Sequence, residues 1–286
     1  MERPRCSTTH DIIVFDVDGV LVDTSRSYFE VIVQALDWAW TSLINGVVDC
    51  EGFSERHFAT TKTHPAFNDD YDIAWAIINC AATAQNPSLA QSLPAPEEWR
   101  LLLDGCKESD VPSWVRSTFG EQIPRDTVRR ACEELYFGVT KNEKHTALLS
   151  PRKGLWENER PMITIPWSAI PVPAGIYTGR TAKELELALK RLHWEDFPDS
   201  MIITSDSGVT KPSPRGLEIL CHTSHASTPL FLGDTESDRQ TVHAFGRGTF
   251  AAIGNFLSDA EFAFPCPEEA LEYFGFLSPS NSSVNL

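Results

Sequence analysis

The chain has 286 residues, of which 42% are hydrophobic and 22% are charged, and its formal net charge at pH 7 is −16. This length allows one large or two ordinary domains with a substantial core, and the composition is typical of a globular protein. Surfaces that bind nucleic acid or anionic membranes need basic patches, so the strong negative charge disfavours both kinds of partner.

The targeting and redox features of the sequence indicate a cytoplasmic protein. The stretch Met1–Cys6 lacks the apolar segment of a signal peptide, and the longest apolar runs are too short to cross a bilayer. The seven cysteines are scattered singly, without a C-x-x-C pair, and their odd number is typical of reduced thiols. We therefore expect neither disulfides nor a zinc site.

The first predicted element is a buried strand that ends in two carboxylates. The apolar run 12–15 leads directly into Asp16-Val17-Asp18-Gly19. Side chains alternate along a strand, so Asp16 and Asp18 should point to the same side at its carboxyl end, where open α/β sheets usually hold their chemistry. Two adjacent carboxylates repel each other unless a cation or a shared proton relieves them. The pair therefore predicts a functional site.

Residues 24 to about 160 are predicted to be mostly helical. Thr24 or Ser25 can cap a first helix, in which apolar residues between Phe29 and Leu43 recur at spacings of three and four. This helical segment directly follows the first carboxylate pair. Further helices are predicted over residues 68–78, 96–107 and 126–137, with a loop at 87–96 and a linker at 151–161.

The remainder of the chain alternates between strands and helices, which implies a parallel sheet with helices on both faces. The predicted fold is therefore α/β: a Rossmann-like parallel sheet core, formed by residues 1–24 and 161–277, with an inserted, mostly helical domain at 25–160. The polar segment 278–286 is predicted to be a disordered tail. We predict strands at 174–178, 201–205, 229–232 and 249–253, and helices at 182–193, 213–222, 237–245 and 268–274.

Three later strand ends supply groups that the first one lacks. Thr178 precedes a glycine turn at the end of one strand, and Lys211 precedes the start of a helix. Another strand ends in carboxylates, among them Asp234 and Asp238. A hydroxyl and an ammonium group can hold phosphoryl oxygens, and several carboxylates form the hard, oxygen-rich site that Mg²⁺ prefers.

Taken together, these strand ends resemble the four motifs of the haloacid dehalogenase-like hydrolase superfamily. The matching segments, in the family's order, are the Asp-x-Asp-Gly-Val loop at Asp16, the threonine at Thr178, the Lys-Pro pair at Lys211 and the Gly-Asp-x-x-x-Asp pattern at Gly233. The position of the helical insertion, between the first and second motifs, is similar to that of the helical cap of subfamily I.

The resemblance implies a role for each matching residue. Asp16 would be the nucleophile that forms an aspartyl-phosphate, and Asp18 would be the general acid for the leaving oxygen and then the base that activates water. Thr178 and Lys211 would stabilise charge on the transferring phosphoryl group. The predicted substrate-binding residues are Thr178, Gly179, Arg180 and Lys211.

The resemblance also implies a magnesium site. Mg²⁺ would be held by Asp16, the backbone carbonyl of Asp18 and Asp234, with Asp238 bound directly or through water. For Arg180, an ion pair at the surface is an alternative to contact with a substrate anion.

The acid at Asp18 distinguishes between the reactions of the family. Members that cleave carbon–halogen bonds usually lack an acid at this position, because halide needs no proton to leave. We therefore predict a cytoplasmic, Mg²⁺-dependent phosphatase that hydrolyses a small phosphorylated metabolite through an aspartyl-phosphate intermediate.

Three alternatives remain open. A sugar-phosphate mutase shares the Asp pair and the helical cap, but it must hold a second phosphate in the cap, where the sequence offers no obvious basic cluster. A catalytically inactive phospho-ligand binding protein would have the same fold, since fold does not fix activity. A phospho-accepting module of the response-regulator kind gathers similar groups, but there the acidic pair comes first, whereas here Asp234 and Asp238 come last.

Overall fold

The computed structural model describes residues 10–49, 52–67, 69–107, 110–140, 146–151, 153–257 and 259–278. Residues 1–9 and 279–286 lie outside these ranges. The predictions that concern them, namely no signal peptide at the start and a disordered tail at the end, therefore stay predictions. The described chain forms two compact units: one contains the residues up to Asp23 and from Arg160 onward, and the other contains Thr24–Glu159. No helix in the described ranges combines the length and the apolar character that a membrane span requires.

The two units differ in their secondary structure. The described strands are β1 (Ile12–Phe15), β2 (Val22–Asp23), β3 (Arg160–Pro161), β4 (Ala174–Tyr177), β5 (Ile202–Ile203), β6 (Pro229–Gly233), β7 (Thr249–Ile253) and β8 (Ala263–Phe264). The described α-helices are α1 (Tyr28–Ser42), α2 (Glu55–Lys62), α3 (Asp70–Ala82), α4 (Leu89–Ser92), α5 (Pro96–Leu103), α6 (Val111–Thr118), α7 (Arg125–Phe137), α8 (Ala182–Leu192), α9 (Arg215–Ser224), α10 (Glu236–Phe245) and α11 (Pro267–Tyr273). All strands therefore belong to the first unit, and α1 to α7 belong to the second.

Six of the strands form a parallel sheet in the order β5-β4-β1-β6-β7-β8, while β2 and β3 form a separate antiparallel pair. Strand β1 is central and its side chains are fully buried, as expected for a parallel strand covered on both faces. Phe15 lies opposite Ile176 of β4 and Leu232 of β6. The residues that follow these three strands therefore emerge at one edge, beside the point where the direction of winding reverses and α/β folds bind ligands.

The predicted α/β fold, with a Rossmann-like parallel sheet and an inserted helical domain, is confirmed. The four strands predicted after residue 170 correspond to β4, β5, β6 and β7, and the four helices correspond to α8 to α11. The sequence predicts this alternation because each helix carries an apolar stripe and each strand is a short apolar run between turn residues.

Several local predictions were wrong. The loop predicted at 87–96 contains α4, which begins where the Ser88 hydroxyl accepts a hydrogen bond from the backbone of Gln91 at 3.3 Å. The linker predicted at 151–161 ends in β3, which pairs with β2. The strand predicted over 201–205 contains only two residues, because short 3₁₀ helices occupy 199–201 and 205–207.

Helix α3 is the core of the helical unit, since every residue from Asp70 to Ala82 is buried. It contacts both α1 and α7. Its Asn79 donates to the carbonyl oxygens of Trp75 at 2.9 Å and Ile123 at 3.2 Å, and accepts from the Ile123 N–H at 3.0 Å. The Asn79 side chain therefore supplies the acceptor for the buried Ile123 N–H, and it shares the Ile123 carbonyl oxygen with the indole N–H of Trp75, which donates at 2.9 Å.

Replacement of Asn79 by Ala should destabilise the protein, because the buried Ile123 N–H would lose its acceptor. We expect the free energy of unfolding to fall by about 1–3 kcal/mol, as measured by urea denaturation followed by circular dichroism. The matched control is Gln122→Ala at an exposed position of the same loop, which should change the free energy by less than about 0.5 kcal/mol. An equal effect of both substitutions would contradict the role assigned to Asn79.

Candidate active site at the carboxyl ends of the central strands

The loop after β1 is tightly wound and lies against the end of β6. The carbonyl oxygen of Val17 accepts hydrogen bonds from the backbone N–H groups of residues 20–22. Gly19 has a φ of +69°, and a Cβ atom at this position would lie 2.3 Å from Oδ2 of Asp234. Both facts require glycine here. The turn therefore brings the Asp16 loop into contact with a carboxylate that is more than 200 residues away in the sequence.

The loop after β6 is held by the side chain of Asp238. Its Oδ2 atom accepts hydrogen bonds from the Thr235 hydroxyl at 2.7 Å, the Thr235 N–H at 3.0 Å and the Asp234 N–H at 3.2 Å. Thr235 caps α10 and forms a capping box with Asp238. Thr235 was not among the predicted site residues, although the Thr-x-x-Asp spacing of a capping box was readable in the sequence.

Lys211 links the ends of β1 and β6. Its Nζ lies 2.9 Å from Oδ2 of Asp16 and 2.6 Å from Oδ1 of Asp238, and its side chain is only 4% exposed. Burial disfavours the charged ammonium, but the carboxylates of Asp16 and Asp238 outweigh it and raise the pKa of Lys211. Lys211 is therefore a protonated ammonium between two buried carboxylates.

Asp16 is buried among several charged side chains. Burial raises the pKa of its carboxyl group to about 6; Lys211 opposes this shift, and the nearby carboxylates of Asp238 and Asp18 add to it. Its Oδ1 atom is buried and accepts no hydrogen bond from the described residues. A buried acceptor without a donor is costly. The environment of Asp16 thus favours additional positive charge.

The carboxylates of Asp16, Asp234 and Asp238 are arranged in a way that fits a divalent cation. One oxygen of each lies within 4.8 Å of the others, and all three residues are buried. Carboxylate oxygens are the hard ligands that Mg²⁺ takes. Asp238 already bonds to Thr235 and Lys211 through its two oxygens, which makes Asp16 and Asp234 the better candidates for direct ligation. Ligation of Mg²⁺ by Asp16, Asp234, Asp238 and the Asp18 carbonyl oxygen stays a prediction.

Asp18 and Arg180 form an ion pair within the protein. Oδ1 of Asp18 lies 2.8 Å from Nε and 2.6 Å from Nη2 of Arg180, and the guanidinium side chain is 0% exposed. The surface ion pair considered for Arg180 is therefore wrong in its location, since the guanidinium is buried and Asp18 is half-buried. The geometry also disfavours the predicted contact between Arg180 and a substrate anion, because its donors are directed at Asp18 and at the Glu184 carbonyl oxygen.

Thr178 follows β4 at the same edge of the sheet as Asp16. It is buried, its N–H donates to the carbonyl oxygen of Ile203 at 3.0 Å, and its hydroxyl accepts from the backbone N–H of Arg180 at 3.2 Å. Gly179 forms the half-buried bend between them. The substrate contacts of Thr178 and Gly179 stay predictions.

The strand order and the helical insertion define the fold of the haloacid dehalogenase-like hydrolases, and solved structures confirm the resemblance seen in the motifs. Phosphatase Tt82 from Thermococcus thioreducens is 25% identical over 92% of this chain and 99% of its own length, with a TM-score of 0.62. A predicted phosphoglycolate phosphatase from Haemophilus somnus shares the fold at 17% identity, over 93% of this chain and 98% of its own length, with a TM-score of 0.52.

A protein from Bacteroides fragilis that is assigned as a haloacid dehalogenase-like hydrolase also shares the fold. It is 13% identical over 92% of this chain and 100% of its own length, with a TM-score of 0.50. No family model and no curated protein matches this sequence. The similarity is therefore carried by the three-dimensional structure and by the short motifs at the strand ends.

Mg²⁺ should stabilise the folded protein through Asp234. A ligand that binds only the folded state at a hundredfold excess over its Kd adds about 2.7 kcal/mol, so the melting temperature should rise clearly on titration with MgCl₂. Asp234→Asn should lose most of this rise. The control Asp259→Asn changes the net charge equally at an exposed position and should keep the rise. Equal stabilisation of both variants would show that the cation binds elsewhere.

Proposed function

We propose that this protein is a Mg²⁺-dependent phosphatase that hydrolyses a small phosphorylated metabolite through an aspartyl-phosphate on Asp16. The observation that carries the proposal is the position of Asp16 at the end of β1, where Lys211 holds one carboxylate oxygen and no described residue donates a hydrogen bond to the other. The similar structures named as phosphatases support hydrolysis of a phosphate ester.

Asp16 has the features of a nucleophile. Lys211 holds Oδ2 and so orients the carboxylate, one oxygen of which attacks phosphorus. In this step the bond between phosphorus and the leaving oxygen breaks as the bond from the attacking carboxylate oxygen of Asp16 to phosphorus forms. Lys211 also stabilises negative charge next to the transferring group, because it remains protonated between its two carboxylates.

In this proposal Asp18 transfers the protons of both steps. It gives a proton to the leaving oxygen and later takes one from the water that attacks phosphorus, which releases inorganic phosphate and restores Asp16. Mg²⁺ held by Asp16, Asp234 and the Asp18 carbonyl would neutralise carboxylate and phosphoryl charge. Asp238 orients Lys211 and fixes the loop that carries Asp234.

The proposal predicts turnover that needs both Mg²⁺ and Asp16. Phosphate release should be measured for p-nitrophenyl phosphate and a panel of phosphorylated metabolites, with and without Mg²⁺. Asp16→Asn should lower kcat by about a thousandfold or more, because a carboxamide cannot attack phosphorus. The exposed variant Asp259→Asn should retain the activity of the wild type.

A chemical trap tests the intermediate separately. Borohydride reduces an acyl phosphate to an alcohol, so quenching the wild type during turnover of p-nitrophenyl phosphate should convert Asp16 to homoserine, as detected by mass spectrometry. Isomerisation of a sugar phosphate without phosphate release would instead assign a mutase. Absence of both reactions, with phosphorylated ligands still bound, would assign a binding protein.

A further inference from the structure

The ion pair between the buried Arg180 and the half-buried Asp18 has a one-sided geometry. Nε and Nη2 of Arg180 both lie within hydrogen-bonding distance of the same carboxylate oxygen, Oδ1, at 2.8 and 2.6 Å. We propose that Arg180 is a positioning residue that assigns the proton-carrying role to Oδ2 of Asp18 and holds that oxygen in a fixed direction. This inference rests on the proposed function, in which Asp18 transfers the protons.

Both donors of Arg180 approach Oδ1 of Asp18, which leaves Oδ2 outside the pairing. A carboxylic acid protonated on Oδ2 keeps Oδ1 as a carbonyl oxygen with acceptor capacity, and a carboxylate keeps it as a charged acceptor. The two N–H groups of Arg180 can therefore stay on Oδ1 while the proton on Oδ2 leaves and returns. Arg180 thus distinguishes Oδ1, which faces its Nε and Nη2, from Oδ2.

Arg180 is itself held from the protein side. Its Nη1 donates to the carbonyl oxygen of Glu184 at 3.2 Å, and its backbone N–H donates to the Thr178 hydroxyl at 3.2 Å. Glu184 is fixed in turn by a capping box, in which its carboxylate accepts from the N–H and the hydroxyl of Thr181 at 2.8 Å each. The start of α8 thus sets the position of the guanidinium.

The exposure of the two partners shows which of them can meet a substrate. The Asp18 side chain is 16% exposed, whereas the Arg180 side chain is 0% exposed. A group without accessible surface cannot contact a substrate unless its neighbours move. Arg180 therefore acts through Asp18, and its planar fork of donors suits this better than the single ammonium of a lysine.

This role predicts a dependence on the leaving group. A general acid matters most when the leaving oxygen is strongly basic, as in an alkyl phosphate, and least for p-nitrophenyl phosphate, whose leaving group departs without a proton. The parameter kcat/KM reports the steps up to departure of the leaving group, so it isolates the acid role of Asp18 from its later role as a base.

The experiment is a double-mutant cycle on the full chain with two probes, p-nitrophenyl phosphate and an alkyl phosphate from the substrate panel. Arg180→Gln should lower kcat/KM for the alkyl ester by about 10- to 100-fold and for the aryl ester by less than about threefold. In an Asp18→Asn background, Arg180→Gln should change kcat/KM by less than about twofold for either ester. Arg180→Lys should restore part of the loss.

The matched control is Arg215→Gln, which removes an exposed arginine that pairs only with a neighbour on its own helix turn; it should leave kcat/KM unchanged for both esters. An equal loss for both esters, or a loss that adds to that of Asp18→Asn, would show that Arg180 contacts the phosphoryl group and overturn the proposal. Loss of cooperative thermal unfolding in both Arg180 variants would show that Arg180 is required for folding, and this result would also contradict the proposal. A wild type without activity on any ester would instead overturn the proposed function itself.

Discussion

The burial of several carboxylates at one edge of the sheet is the constraint on which the rest of the site depends. Removing a charge from water is costly unless a partner of opposite sign compensates it, and loss of one partner of a buried pair typically costs about 3–5 kcal/mol. Lys211 supplies that compensation for Asp16 and Asp238, and Arg180 supplies it for Asp18. The segments after β4 and β5 must therefore reach back to the loops that follow β1 and β6.

The same constraint links the site to the start of α10, because Asp238 belongs to both. Asp238 uses one oxygen to cap the helix through Thr235 and the other to bind Lys211. Gly233 permits this approach, since a Cβ atom there would lie 2.5 Å from the Cβ of Asp238. Asp238, which the sequence indicates as a candidate metal ligand, thus also stabilises the loop in which it lies.

The order of strands and helices after residue 170 could be read from the sequence because it depends on local apolar patterns. The strand ends that carry Asp16, Thr178, Lys211 and Asp234 could be read for the same reason, together with the order of the motifs. The burial of Arg180 could not, because its partner Asp18 lies 162 positions away. Nor could β2, β3 and β8, since two-residue strands exist only through their pairing and have no periodicity of their own.

The antiparallel pair of β2 and β3 has a consequence for how such a chain can diversify. Asp23 pairs with Arg160, so the chain leaves the sheet unit and returns to it at adjacent backbone positions. The register of the six-stranded sheet then does not depend on the length of the segment between them, and closure of a longer loop costs little additional entropy. Descendants of this chain could exchange, shorten or enlarge residues 24–159 and still keep the same strand edge, with its carboxylates and their counter-charges intact.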